Sequence, residues 1–75
     1  MRLISQDRDY DIPYKQCVLL INPGNIHATL IGNPEKQMLM AVYSTQEKVQ
    51  KAIQMLHEYY TGMNIVFRFP QEDKV

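Results

Sequence analysis

The side chains that could bind a metal ion or act as a nucleophile are few, and they lie far apart in the sequence. The only cysteine is Cys17, and the only histidines are His27 and His57. A structural zinc site usually takes four nitrogen or sulfur ligands, and these three residues lack the paired spacing of such sites. Cys17 precedes four apolar residues, which favours a small core residue over a reactive thiol. We therefore expect no metal, no cofactor and no catalytic residue here.

Three aspartates near the amino terminus alternate with other residues in a way that faintly resembles a calcium-binding loop. They are Asp7, Asp9 and Asp11. An EF-hand loop that began at Asp7 would need glycine at its sixth position and glutamate at its twelfth, but Ile12 and Val18 stand there. The pattern instead predicts a solvated turn whose charges discourage pairing with another strand edge.

Aromatic residues accompanied by a few basic ones give a second functional hypothesis. Single-strand nucleic-acid binders combine stacking aromatic rings with a positive groove, and Lys48, Lys51 and Arg68 could form a small basic patch. The alternative is that the phenylalanines are core residues and the tyrosines lie at its rim. The aromatic residues are Tyr10, Tyr14, Tyr43, Tyr59, Tyr60, Phe67 and Phe69.

One helix is predicted over about residues 45–61. Ser44 is predicted as its N-cap, with Glu47 completing a capping box, and Gly62 as a left-handed C-terminal residue. Capping accounts for Ser44, and no base stands beside Ser44 or Thr45 to activate either hydroxyl. One apolar stripe recurs at helical spacing: Val49, Ala52, Ile53, Leu56 and Tyr60.

The remaining apolar segments predict short strands separated by turns. Asn22-Pro23-Gly24-Asn25 has the composition of a type II turn, and a second turn is predicted over residues 32–36. Pro13 predicts that its own segment is an edge strand. The predicted strands are residues 2–5 and 10–14, which form a hairpin, then 16–21, 26–31 and 37–43, and finally 65–69.

These elements predict an α+β fold in one domain over residues 1–75. We expect a mostly antiparallel sheet of five to six short strands with one helix packed on one face, in the order strands, helix, strand. A chain of 75 residues buries only about 60% of its unfolded surface, so the core is marginal. The predicted core is Ile4, Val18, Leu20, Leu30, Leu39, Val49, Ala52, Ile53, Leu56, Tyr60 and Phe67.

Residues 17–21 and 38–42, in two of the predicted strands, are apolar on both strand faces. A strand with one face in water normally alternates between apolar and polar residues. A single helix covers only one face of a sheet, so the other face needs a cover or stays in water. A second copy of the chain would provide that cover as a symmetric dimer. The alternative is that the sheet twists around the helix and these side chains are core. The predicted self-association surface consists of Leu19, Ile21, Met38 and Met40.

Composition excludes several other classes. Eight basic and eight acidic residues cancel, which gives no general attraction to nucleic acid or to an anionic membrane. The longest apolar run, residues 17–21, is far below the roughly 20 residues that a membrane span needs. No signal-peptide pattern follows Arg2, and a lone cysteine fits a reducing compartment. We expect a cytoplasmic protein.

Three segments resemble a family of small uncharacterised proteins of Firmicutes and their phages or prophages. They are residues 1–7 with 11–14, the helix from Tyr43-Ser44-Thr45 to Gly62, and Phe67-Arg68-Phe69-Pro70-Gln71. The family often has glycine where Arg8 stands, and often has a longer segment where Met63-Asn64 joins the helix to the last strand. The resemblance implies an intracellular accessory protein, and it supplies no site residues.

The sequence thus predicts a fold and leaves the function open between two classes. The first is a non-enzymatic protein-interaction or accessory module of mobile-element origin that forms a homodimer through the sheet face opposite the helix. The alternative is a small single-stranded nucleic-acid-binding protein that uses its tyrosines with Lys48, Lys51 and Arg68. No catalytic motif favours an enzyme.

Overall fold

Six strands form two three-stranded sheets, and one helix connects the fifth strand to the sixth. The computed structural model describes residues 1–75. It confirms the α+β class and the count of six strands, which are divided between two sheets instead of forming one. The elements are β1 (Arg2–Ile4), β2 (Asp11–Pro13), β3 (Cys17–Asn22), β4 (Asn25–Leu30), β5 (Asn33–Val42), α1 (Gln46–Thr61) and β6 (Val66–Arg68).

The smaller sheet has the order β2-β1-β6. The predicted amino-terminal hairpin is confirmed, since β1 and β2 pair antiparallel with Leu3 opposite Ile12. Pro13 ends an edge strand, as its missing N–H group requires. The last strand, β6, returns beside β1 and pairs with it in parallel, placing Phe67 beside Leu3. β1 is therefore the central strand of this sheet.

The tip of the amino-terminal hairpin is an ordered polar turn. The buried Ser5 hydroxyl donates to an Asp7 carboxylate oxygen at 2.6 Å and accepts from the Tyr10 N–H group at 3.0 Å. The same carboxylate oxygen accepts from the Asp9 N–H group at 3.0 Å. The Ser5 hydroxyl, with the Asp9 N–H group, lowers the pKa of Asp7. Arg8 adopts a left-handed conformation with φ of 67°.

Replacing Arg8 with glycine is expected to leave the free energy of unfolding unchanged or to raise it by up to about 1.5 kcal/mol. The left-handed conformation costs an L-residue roughly 1–2 kcal/mol, and glycine escapes this cost but loses roughly 0.5–1 kcal/mol of chain entropy. Arg8→Val, which keeps a Cβ and branches it, is expected to lower the same free energy. Urea denaturation of both variants checks this, and a less stable glycine variant would contradict it.

The larger sheet is an antiparallel meander with the order β3-β4-β5. The predicted turn between β3 and β4 is confirmed, and Gly24 supplies its positive φ of 84°. The second predicted turn is wrong in extent, because only Ile31 and Gly32 separate β4 from β5. Irregular pairing lets β5 begin at Asn33 and run for ten residues.

Helix α1 forms over nearly the predicted residues and has Gly62 as its C-cap, but the predicted N-cap and the predicted left-handed conformation of Gly62 are wrong. Thr45 is the N-cap, and its hydroxyl accepts from the Lys48 N–H group at 3.3 Å. Gly62 has an ordinary φ of −78°. The left-handed residue is instead Met63, with φ of 59°. The chain turns there because the Asn64 N–H group reaches the Tyr59 carbonyl at 3.1 Å.

The core forms where the helix stripe meets strands of both sheets. The predicted core positions Val49, Ala52 and Leu56 are fully buried, while Tyr60 is exposed. The sequence misses most of the strand contribution. The buried apolar residues are Leu3, Ile12, Ile26, Ala28, Met38, Met40, Ala41, Tyr43, Val49, Ala52, Leu56, Phe67 and Phe69. The only α-helix, at 16 residues, does not have the length and apolarity of a membrane span.

Candidate interaction surface

One face of the β3-β4-β5 meander presents apolar side chains to solvent. Strand pairing sets Leu20, His27 and Leu39 in one row across the sheet, with Val18 beside Thr29 in the next row. Val18 is 50% exposed and Leu39 is 39% exposed. Val42, opposite Asn25 at one end, is 51% exposed. We call these residues the outer face, of which Thr29 is buried at 6% exposure: Val18, Leu20, His27, Thr29, Leu39 and Val42.

The opposite face of the meander packs into the core, and it holds the residues that the sequence assigned to self-association. Leu19 pairs with Ala28, which pairs with Met38, and Met38 is only 4% exposed. Met40 is 1% exposed. The predicted self-association surface is therefore wrong for Met38 and Met40, which are buried in the core.

The remaining two predicted surface residues lie on this inner face too. Leu19 is half-buried against the core, and Ile21 is paired with the buried Ile26 but is itself exposed near the turn. Val18, Leu20 and Leu39, predicted as core, lie on the outer face instead. Strands that are apolar on both faces leave this assignment open, because a shift of one residue exchanges the two faces.

The outer face has one histidine in its central row and no aspartate, glutamate, lysine or arginine on two of its three strands, β3 and β4. The imidazole of His27 stands between two leucines in its row, and its Nδ1 atom is buried without a hydrogen-bond partner. Buried polar atoms normally find a partner. The surface therefore combines exposed apolar area with one unsatisfied polar atom.

The two edges of the meander differ in how they are protected. The Gln6 N–H group donates to the Met40 carbonyl at 2.7 Å, and the Gln6 side-chain oxygen accepts from the Val42 N–H group at 3.0 Å. The edge of β5 is thereby capped by the hairpin loop. β3 forms the other edge of the meander and pairs with β4 only. It lacks the charges and prolines that usually discourage edge pairing.

The residues that suggested metal chemistry are not brought together. No group of three or more histidine, cysteine, aspartate or glutamate side chains is placed to hold a metal ion. Cys17 donates its thiol hydrogen to the Tyr14 carbonyl at 3.2 Å, and burial raises the pKa of this thiol. Asp11, at the start of β2, forms an ion pair with Arg2 at 2.8 Å. These contacts are structural.

The residues of the nucleic-acid hypothesis divide into separate groups, since Tyr14 packs against Tyr60, whereas Tyr59 and Phe69 both pack against Phe67. Tyr43 is buried, and its hydroxyl donates to the Pro70 carbonyl at 2.7 Å. Burial, together with the negative charge of Glu72, raises the pKa of Tyr43 to about 12. Lys48 is engaged in an ion pair with Glu72, while Arg68 makes no ion pair within the chain.

The carboxyl-terminal segment holds the start of the helix, a role that the sequence did not reveal. Glu72 accepts from the Ser44 N–H group at 2.8 Å and from the Ser44 hydroxyl at 2.7 Å. Lys48 donates to the Glu72 carbonyl oxygen at 3.1 Å as well. Ser44 therefore binds a carboxylate 28 residues away instead of capping its own helix.

The stabilisation from Glu72 is expected to disappear in acid. Hydrogen bonds from Lys48 and Ser44 lower the pKa of Glu72 to about 2 from an ordinary value of 4.5. Since the folded-state pKa is the lower one, the stabilisation is fully present above about pH 4.5 and is lost as the pH falls toward 2. The melting temperature of the wild type should lie above that of Glu72→Gln at pH 6, and this difference should disappear by about pH 2. A difference independent of pH would contradict this assignment.

Comparison with known proteins adds no relative: no protein family, curated protein or solved structure matches this chain. The fold and its exposed residues define a small α+β protein with an uncovered apolar sheet face.

Proposed function

We propose that this protein is a non-enzymatic interaction module, of mobile-element origin, that self-associates as a homodimer through the outer face of the meander. The sequence-based prediction of a dimer through the face that the helix does not cover is retained, with the residues changed. Val18, Leu20, Leu39 and Val42 replace the four inner-face residues.

The observation that carries the proposal is the uncovered apolar face itself. Helix α1 and the smaller sheet contribute the rest of the core, and nothing in the chain packs over Val18, Leu39 and Val42. Contiguous apolar patches on a soluble protein commonly mark interaction sites. The absence of charge on β3 and β4 removes the repulsion that would oppose two copies meeting.

A second copy can occupy this face because a two-fold axis brings the same apolar side chains of both copies together. Two sheets that pack face to face lie about 10 Å apart with their strands within about 30° of one another. A two-fold axis near His27 would place the row of Leu20, His27 and Leu39 against the same row of the partner. The region in which all three strands pair is about six residues long and covers only about 20 by 14 Å, so we expect micromolar and not nanomolar affinity.

Isotope-filtered NMR on a mixture of labelled and unlabelled protein tests the location of the contact. We expect intermolecular nuclear Overhauser effects from the methyl groups of Val18, Leu20, Leu39 and Val42. The methyl groups of Leu3 and Leu56, which are fully buried within one copy, serve as internal controls and should show none. Intermolecular effects confined to another surface would overturn the proposal.

A further inference from the structure

A second surface lies on the other sheet, along the free edge of β6. Strand β6 is the last strand in the order β2-β1-β6, and helix α1 leaves a groove of about 350 Å³ beside it. The residues that line the groove are Met55, Tyr59, Val66, Phe67 and Arg68. None of them belongs to the outer face.

Along this edge, β6 has the backbone geometry of a strand, but no further strand pairs with it. The Arg2 N–H group donates to the Ile65 carbonyl at 2.8 Å, and the Phe69 N–H group donates to the Ile4 carbonyl at 3.0 Å. Because backbone groups alternate along a strand, Phe67 also turns its N–H and C=O groups toward β1. The N–H and C=O groups of Val66 and Arg68 consequently point away from the sheet.

The groove offers side-chain recognition next to these open backbone groups. Tyr59 stacks edge-on against Phe67, with ring centroids 5.1 Å apart, and forms an apolar wall together with the flexible Met55. Arg68 is the one charged residue in the lining. Its guanidinium group makes no hydrogen bond or ion pair within the chain, whereas Arg2 and Lys48 are both paired.

We propose that this groove binds an extended peptide segment of a partner protein by strand addition to β6. The segment would carry one apolar side chain for the wall of Met55 and Tyr59, and one carboxylate for Arg68. Strand addition obtains its affinity from main-chain hydrogen bonds and its specificity from alternate side chains. Planar guanidinium groups favour bidentate carboxylate partners.

A single nucleic-acid strand fits this groove less well. The four open backbone groups of Val66 and Arg68 repeat at the spacing of another β-strand, and only one cation lines the groove. The chain as a whole carries no net charge, and phosphate binding depends mainly on basic side chains. Nucleic acid therefore becomes an alternative outcome of the same experiment.

The test uses ¹⁵N-labelled full-length protein and a capped seven-residue peptide of alternating valine and threonine with one glutamate at its centre. We expect this peptide to shift the backbone amide signals of Val66 and Arg68 and to slow their hydrogen exchange. The matched peptide with glutamine in place of glutamate should bind about tenfold more weakly, since its neutral amide cannot form charge-assisted hydrogen bonds with the Arg68 guanidinium group.

Two variants and one control locate the site. Arg68→Gln should remove the preference for the glutamate peptide, while Lys36→Gln, which changes the charge equally on exposed β5, should keep it. Val66→Pro removes an N–H group that β1 does not use, so the fold should persist while peptide binding is lost. An unchanged amide spectrum of Val66→Pro outside residues 64–68 confirms that its fold is intact.

Three outcomes would overturn the proposal. The first is no shift at Val66 or Arg68 with the peptide at millimolar concentration. The second is equal binding of the glutamate and glutamine peptides by the wild type. The third is binding of a ten-nucleotide oligothymidylate at these amides when the peptide fails. Failure of the outer-face dimer would leave all of these measurements unaffected.

Discussion

Replacing Leu56 with alanine is expected to lower the free energy of unfolding by about 2–5 kcal/mol. Leu56 is fully buried and lies on the same stripe of α1 as the fully buried Val49 and Ala52. Its removal leaves a cavity between the helix and the strands, because neighbouring side chains relax only in part. For 75 residues, the total stability is roughly 4–11 kcal/mol at about 0.05–0.15 kcal/mol per residue. One truncation therefore removes a large share of it.

Met63→Ala is the matched control for Leu56→Ala. Met63 is 88% exposed, so its truncation is expected to change the free energy of unfolding by no more than about 0.5 kcal/mol. Urea denaturation followed by circular dichroism measures both variants. If Leu56→Ala unfolded at the wild-type midpoint, the helix would not be packed as described.

The second large effect is expected from Leu39→Lys. Leu39 lies beside His27 in the central row of the outer face. In the proposed dimer an ammonium group there would be buried without a partner, and because of the two-fold symmetry it would enter the interface twice. A hot-spot residue typically contributes about 2 kcal/mol of binding free energy. Losing that amount in each copy raises the dissociation constant of the dimer about 30-fold for each copy. The folded monomer should tolerate the change, since Leu39 is 39% exposed.

Ile65→Lys is the matched control for Leu39→Lys. It introduces the same charge in place of an exposed apolar residue, but Ile65 lies between α1 and β6 and outside the outer face. Its dimerisation constant should equal that of the wild type. Equal weakening by both variants would indicate a general effect of charge and not a contact at Leu39.

The predictable part of this fold is the part encoded by local signals. The helical stripe around Leu56, the Pro23-Gly24 turn and the amino-terminal hairpin each depend on residues that are close in sequence, and all three are confirmed. The position of the last strand depends on the parallel pairing of β6 with β1, more than 60 residues apart. No local pattern specifies that pairing.

The candidate surface could be predicted only as one of two faces. Val18 and Leu20 alternate with Leu19 and Ile21, so hydrophobicity alone does not tell which pair faces the helix. The alternation in β4 holds the missing information. Ile26 and Ala28 are buried, and antiparallel register places their partners, Ile21 and Leu19, on the same side. Applying that register to β3 would have assigned the outer face correctly.

The wrong prediction of the N-cap also arises because a local pattern leaves more than one arrangement open. Ser44 has the right type and spacing for an N-cap, but the distant Glu72 takes both its N–H group and its hydroxyl. Thr45, one residue later, then caps the helix. A local rule describes what a side chain can do, and tertiary contacts decide which of its options is used.

Dimerisation through the outer face is decided by sedimentation equilibrium of the wild type, Leu39→Lys and Ile65→Lys at tens of micromolar protein. We expect a wild-type mass approaching twice the 8.8 kDa of one chain, the same mass for Ile65→Lys, and a monomer for Leu39→Lys. A wild type that sediments as a monomer throughout this concentration range, or a Leu39→Lys variant that remains a dimer, would contradict it.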